Sequence, residues 1–140
     1  MSDAKPQPLE RIRKRADFLA TAKGFACARG AVLVQARDRG DETGAVRVGF
    51  TATRRIGGAV VRNRAKRRLR EAARATFPGL ARAGCDYVLI ARGGSTTRPY
   101  PRLLDDVKTA LIRLAADLGA PDKIAGGDAA PASTPPQNPA

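Results

Sequence analysis

Residues 49–74 read GFTATRRIGGAVVRNRAKRRLREAAR, and this stretch decides how the chain is interpreted. In its second half, apolar residues recur every three or four positions, which predicts a helix from about Ala59 to Thr76. The stretch carries nine cations against one acid, Glu71. Like charges four residues apart destabilise an isolated helix, so this imbalance indicates an anionic partner. Arginine forks suit phosphate groups, which makes a polyanion the expected partner.

The net charge of the chain supports a nucleic-acid partner. The 140 residues carry a formal charge of +13, and a chain of this length is expected to form one domain. Residues 1–120 carry +14 and residues 121–140 carry −1, so the excess belongs to the part expected to fold. Such a charge favours RNA or DNA over an anionic membrane. We expect no signal peptide and no membrane span.

The elements around the arginine helix predict an α+β fold, a small sandwich with helices packed on a sheet. Residues 9–23 show a helical pattern. Residues 31–37 and 45–53 read as two strands of a hairpin. Residues 85–91 form a continuous apolar run typical of a central strand, and residues 99–118 show a last amphipathic helix.

The chain divides into three parts by composition. Residues 1–8 are expected to form a flexible N-terminus, and residues 9–120 to form one RNA-binding domain. Residues 121–140 contain five prolines without periodicity and are expected to be disordered.

The sequence offers no catalytic group for phosphodiester chemistry. It contains no histidine, which excludes an imidazole base and a histidine-ligated metal. Asp105 and Asp106 are adjacent and would point to different faces of a helix, and Asp17 and Asp86 are isolated in sequence. None of this resembles the clustered acids of a two-metal nuclease. We therefore expect no catalytic residue and no metal site in the protein.

Together these motifs resemble the protein subunit of bacterial ribonuclease P. The triplet Arg62-Asn63-Arg64 is the signature of that family, within a match that runs from Gly49 to Glu71. Residues 13–18 match its N-terminal helix, and residues 86–92 match a later strand. The resemblance covers about residues 9–118.

The resemblance implies an α/β sandwich whose mixed sheet has about four strands, with a left-handed βαβ crossover. It also implies that the RNA subunit is the ribozyme, with Mg²⁺ held mainly by that RNA and by the substrate. The protein would bind the catalytic RNA and the single-stranded 5′ leader of precursor tRNA, in the cytoplasm and without an obligate protein partner. Cleavage would produce the mature 5′ end of tRNA.

The resemblance also assigns residues to two surfaces. Those expected to bind the RNA subunit are Arg54, Arg62, Asn63, Arg64, Arg67, Arg68 and Arg74. Those expected to line a leader-binding cleft between sheet and helix are Phe18, Thr51, Arg55, Lys66 and Arg70. This chain has Ala22 and Val34 where the family often has aromatic residues, which predicts a more electrostatic grip on the leader.

Three other functional classes were compared with this resemblance. A ribosomal-type protein or a general RNA chaperone would share the basic α+β build, and it remains the main alternative. A protein-only endonuclease is disfavoured by the lack of histidine and of acid clusters. A membrane-surface role is disfavoured because the seam of the arginine helix is mostly Ala and Val.

Overall fold

The computed structural model describes residues 9–40 and 43–118. Its elements, in chain order, are β1 (Leu9–Arg11), α1 (Arg15–Ala22), β2 (Phe25–Arg29), β3 (Val32–Asp38), β4 (Val46–Thr51), a 3-10 turn (Arg54–Ile56), α2 (Ala59–Thr76), β5 (Cys85–Ala91) and α3 (Tyr100–Leu118). No helix in these ranges is both long enough and apolar enough to span a membrane.

The five strands form one mixed sheet in the order β1-β4-β5-β3-β2. Strand β4 runs parallel to β1 and to β5, whereas β3 is antiparallel to β5 and to β2. The α+β fold with a mixed sheet is confirmed, with one strand more than the four expected. The parallel neighbours β4 and β5 are joined through α2, which makes the expected βαβ unit. Its left-handedness stays a prediction.

Helix α2 has the predicted bounds because its pattern is strong and local. Ala65, Leu69, Ala72 and Ala73 are at most 1% exposed and form the predicted apolar seam. Together with α3, this seam covers one face of the sheet and closes the hydrophobic core. Both α2 and α3 are therefore held by hydrophobic burial.

The central strand β5 separates two different environments. Tyr87 is fully buried on the core side, where its ring meets that of Phe77 edge to face, with the ring centroids 5.1 Å apart. Its hydroxyl accepts a hydrogen bond from the backbone N–H of Arg82, and burial raises the pKa of Tyr87 to about 12. The preceding residue, Asp86, points to the opposite face of the sheet, because successive side chains alternate along a strand.

The prediction of one helix over residues 9–23 is wrong. Leu9–Arg11 form a short edge strand whose partner is Val46–Val48, and the helix begins only at Arg15. The supposed apolar face is not buried as a unit, since Leu9 is 37% exposed and Leu19 is 52% exposed. Three residues of strand are too few to show an alternating pattern, so a pairing with a distant strand decided their conformation.

The predicted hairpin over residues 31–53 is also wrong. Both strands exist, but β5 lies between β3 and β4 in the sheet. Strand β3 pairs instead with β2, a strand that the sequence pattern did not predict. The tight connection at Gly30 makes β2 and β3 the actual hairpin, and Gly30 has a φ of 50°. The predictions for residues 1–8 and 121–140 lie outside the described residues.

Candidate nucleic-acid interface

The outer surface of α2 presents Asn63 and three of the seven cations of the helix to solvent. Asn63, Arg64, Arg67 and Arg74 are exposed, and none of them makes a side-chain hydrogen bond or ion pair within residues 9–40 and 43–118. Arg54, on the preceding 3-10 turn, is exposed as well. Five of the seven residues predicted to bind the RNA subunit are thus available to an external partner.

One flank of α2 places three cations in a row. Arg62, Lys66 and Arg70 are spaced by four residues and are half-buried, so they line the helix where it meets the sheet. The Nε atom of Arg62 is buried and has no hydrogen-bond partner in the part of the chain that the structure describes. These three side chains therefore form a line of positive charge beside the sheet.

Arg68 differs from its neighbours on α2. Its two terminal nitrogens donate hydrogen bonds to the backbone carbonyls of Ser95 and Arg98, at 2.8 and 2.6 Å. These bonds fasten the loop between β5 and α3 to the middle of α2. The structure therefore gives Arg68 an internal role, whereas its predicted role in RNA binding stays a prediction.

A small cleft of about 70 Å³ lies beside β4, just beyond the end of the edge strand β1. Its lining combines residues of α1 and α2 with residues of β4 and of the end of β1: Arg11, Ile12, Phe18, Val48, Gly49, Phe50, Lys66 and Arg70. Three of the five residues predicted for a leader-binding cleft, Phe18, Lys66 and Arg70, are thus brought together although the first and last are 52 positions apart in the sequence. Thr51 and Arg55 are not among the described residues that line it, so their roles stay predictions.

The absence of a side chain at Gly49 lets Phe18 lie directly against β4. A Cβ atom built on Gly49 would lie 2.5 Å from one carbon of the Phe18 ring, closer than real Cβ contacts allow. The ring therefore occupies the place that any larger residue at position 49 would take. Gly49 is needed here for space and not for its backbone conformation.

Five of the eight cleft residues were not predicted for the site, and two of them, Phe50 and Arg11, carry a ring or a charge. Phe50 lies beneath Arg70, whose guanidinium carbon is 5.7 Å from the ring centroid, within the range of a cation–π contact. Arg11 belongs to β1, and assigning residues 9–23 to a helix concealed its position beside β4. The alternation of β4 was the signal that could have drawn attention to Phe50.

Two further aromatic residues, Phe25 and Tyr100, belong to the core. Phe25 and Tyr100 are partly buried and pack against the main hydrophobic cluster. Val34, where an aromatic residue was noted as missing, is fully buried on the core side of β3, while Ala22 is exposed at the end of α1. The rings that line the cleft are therefore those of Phe18 and Phe50.

An ion network covers the face of the sheet opposite the core. Asp86 is 0% exposed, and Arg47 binds it with two hydrogen bonds of 2.7 Å. Arg39 and Arg37 complete the shell at 2.9 and 3.1 Å. Burial raises the pKa of the Asp86 carboxyl, but the hydrogen bonds from Arg47 and Arg39 outweigh it and leave the pKa lowered. Arg37 and Arg47 also bind Asp17 of α1.

The acids of the described residues do not form a catalytic cluster. Asp17 and Asp86 are engaged with arginines, and Asp106 is bound by Arg98 and accepts the backbone N–H of Ala31. Within residues 9–40 and 43–118, no three His, Cys, Asp or Glu side chains are placed to hold a metal ion. The site as described can bind phosphates through cations and bases through rings.

Comparison with known proteins identifies a single family. The family model described as Ribonuclease P matches residues 7–115. The ribonuclease P protein component of Caulobacter vibrioides (strain NA1000 / CB15N) is 68% identical over 109 residues, which cover 78% of this chain and 73% of that protein. The protein of the same name from Ruegeria pomeroyi is 51% identical over 107 residues, covering 75% and 86% of the two chains.

Solved structures agree with these relatives. The RNase P protein from Thermotoga maritima has a TM-score of 0.63 and 29% identity, covering 74% of this chain and 96% of that one. The RNase P protein of Staphylococcus aureus has a TM-score of 0.62 and 25% identity, covering 75% and 94%. In both, the similarity extends over nearly the whole solved chain.

Proposed function

Since this chain belongs to the ribonuclease P protein family, we propose that α2 binds the catalytic RNA while the cleft beside Phe18 holds the 5′ leader of precursor tRNA. As a ribonuclease P protein component, it acts with ribonuclease P RNA in a holoenzyme that is an endoribonuclease of tRNA processing. The proposal assigns the two partners to two surfaces of one molecule.

The observation that carries the leader assignment is the composition of the cleft. It joins three cations, Arg11, Lys66 and Arg70, to the rings of Phe18 and Phe50. Rings stack on bases that are unpaired, and cations attract the phosphates between them, so this combination suits a single strand better than a duplex. The leader is the single-stranded part of precursor tRNA.

The exposed cations of α2 support the assignment to the RNA subunit. Arg64, Arg67 and Arg74 form no ion pair with an acid in the described part of the chain. Their positive charge can therefore attract the phosphates of a polyanion. We propose that these residues, with Arg54, Arg62 and Asn63, form the contact to folded RNA.

Hydrolysis is proposed to belong to the RNA. The described residues do not fit a resident metal, and the chain contains no histidine. Mg²⁺ held mainly by the RNA subunit and the substrate would supply the activation of water, while this chain binds and orients the precursor. We place the holoenzyme in the cytoplasm, in keeping with its bacterial relatives.

Reconstitution tests the proposal. The purified protein is mixed with ribonuclease P RNA and labelled precursor tRNA at low Mg²⁺, and cleavage at the mature 5′ end is followed. The protein should restore cleavage by the RNA and should cut nothing alone. A general RNA chaperone would not restore cleavage at low Mg²⁺, and RNA-free protein that cut precursor tRNA would contradict the assignment of catalysis.

A matched pair of variants tests the cleft. Lys66→Ala and Arg70→Ala should weaken the binding of precursor tRNA by the holoenzyme and leave mature tRNA unaffected. Arg74→Ala, on the same helix but outside the cleft, should leave the ratio of the two affinities unchanged. Equal losses for both tRNAs would show that Lys66 and Arg70 contact the tRNA body or the RNA subunit.

A further inference from the structure

Helix α1 is a poorly buried element, although it carries an aromatic residue of the cleft. Among its eight residues only Thr21 is fully buried, and Leu19, its largest aliphatic side chain, is 52% exposed. Hydrophobic burial therefore holds α1 on the sheet much less firmly than it holds α2 or α3.

Ion pairs supply a second attachment. The carboxylate of Asp17 lies 3.1 Å from Arg37 of β3 and 3.3 Å from Arg47 of β4. Both arginines bind the buried carboxylate of Asp86 at the same time, at 3.1 and 2.7 Å. Asp86 keeps each guanidinium in place, so Asp17 meets two cations that are already oriented.

The ring of Phe18 follows Asp17 directly and lies against Gly49 of β4, two residues after Arg47 on the same strand. The strand that binds the carboxylate thus also seats the ring. We propose that Asp17 is a positioning residue, which holds Phe18 in the cleft through its ion pairs with Arg37 and Arg47. This inference rests on the proposed function of the cleft in binding the leader.

For Asp17→Asn, loss of positioning and the change in net charge should shift the affinity for precursor tRNA in opposite directions. Asp17→Asn removes an acid and raises the net charge of +13 by one. Added positive charge strengthens the general attraction to RNA. Loss of the ion pairs instead lets α1 move and takes Phe18 away from its seat, which weakens the binding of single-stranded leader. The two effects are therefore separable in one variant.

The experiment compares wild-type and variant holoenzymes for the binding of precursor and mature tRNA at fixed salt. Asp17→Asn should weaken precursor binding by about five- to tenfold and leave mature tRNA binding unchanged. This factor is at the lower end of the loss of affinity expected when one base no longer stacks on a ring. Single-turnover cleavage at saturating precursor should stay near the wild-type rate. Asp17→Glu, which keeps the charge, should recover most of the affinity.

Two further variants give the matched controls. Asp105→Asn makes the same change of charge at an exposed position of α3, where no ion pair forms among the described residues, and should not weaken precursor binding. Phe18→Ala should weaken precursor binding, and the double variant with Asp17→Asn should lose little more than Phe18→Ala alone. Thermal unfolding of each variant, followed by circular dichroism, checks that the fold is intact.

The outcomes separate the inference from the function on which it rests. If Phe18→Ala weakens precursor binding while Asp17→Asn leaves it unchanged or tighter, Asp17 is not a positioning residue and the leader cleft stands. If Phe18→Ala itself has no effect on precursor binding, the leader cleft and the inference both fail. Equal loss of both tRNAs in Asp17→Asn, or no recovery in Asp17→Glu, also overturns the inference.

Discussion

Helices α1 and α2 both border the cleft, but they are attached to the sheet in different ways. Helix α2 has a seam of Ala65, Leu69, Ala72 and Ala73 in the hydrophobic core, and its exposed cations Arg64, Arg67 and Arg74 remain available to partners. Helix α1 is bound through Asp17 to arginines that Asp86 orients. A helix held by apolar residues leaves a local pattern in the sequence, whereas a helix held by long-range ion pairs leaves almost none.

The largest effect should come from the centre of the ion network. Asp86→Ala leaves three arginines around an empty buried position, and breaking a buried ion pair from one side costs about 3–5 kcal/mol of unfolding free energy. Glu71→Ala, the same type of change at an exposed position of α2, should cost less than about 0.5 kcal/mol. Denaturant unfolding measures both, and similar small losses would show that the network is dispensable.

Acid should weaken the same network. The pKa of Asp86 is lowered in the folded state, because hydrogen bonds from Arg47, Arg39 and Arg37 outweigh its burial. Its contribution to stability is therefore present above the unfolded pKa, near 3.8, and is lost as pH falls through the folded pKa. The carboxylate of Asp17 shares Arg37 and Arg47 with Asp86, so the two acids lie in one ion network. Unfolding free energy measured below pH 5 should fall less steeply in Asp86→Asn than in the wild type.

On α2, two neighbouring arginines should behave differently. Arg68→Ala removes two hydrogen bonds to backbone carbonyls and should cost about 1–3 kcal/mol of stability. Arg67→Ala should leave stability within about 0.5 kcal/mol, because Arg67 is exposed. It should instead reduce the slope of log K against log salt for the RNA subunit by roughly one. If Arg68→Ala kept full stability but reduced the salt slope for RNA binding, Arg68 would be an RNA contact and not an internal support of the fold.

Removal of exposed or flank cations should affect RNA affinity but not the fold. Arg62→Ala and Arg64→Ala should each weaken binding to the RNA subunit by about 1–3 kcal/mol, the range for charge-assisted contacts. Both lie off the buried seam, so the circular dichroism spectrum should not change. Unchanged affinity would remove that residue from the interface.

The smallest expected effect concerns the seat of Phe18. Gly49→Ala places a methyl group where the ring lies, so the ring must shift. The affinity for precursor tRNA should fall by a few-fold. The loss of binding free energy should not exceed roughly 1 kcal/mol, the smallest contribution expected from one stacked base. Binding of the RNA subunit should be unchanged, since the α2 surface is not altered. Wild-type precursor affinity in Gly49→Ala would mean that the ring position does not matter for the leader.

The parts predicted correctly share one physical property. Ala59–Thr76, Cys85–Ala91 and Tyr100–Leu118 each bury residues in a pattern that lies within the element itself. The apolar periodicity of the two helices and the continuous apolar run of the strand, with flanking glycine and proline, were enough to find them. The same holds for the surplus of cations, which required no knowledge of the fold.

Residues far apart in the chain decided the rest. Leu9–Arg11 became a strand because β4 was available to pair with it, and β5 came between β3 and β4. Arg11, Phe18 and Phe50 met Lys66 and Arg70 only when the edge of the sheet formed.

By itself, the sequence determined the basic helix, the central strand, the family resemblance and the preference for a polyanion, since these follow from local periodicity, a contiguous motif and net charge. Only the tertiary structure decided that Arg68 bonds inward and that Gly49 makes room for a ring. It also made Asp86, an isolated acid in the sequence, the centre of three arginines. Burial, hydrogen bonding and ion pairing depend on neighbours in space, and no local pattern records those neighbours.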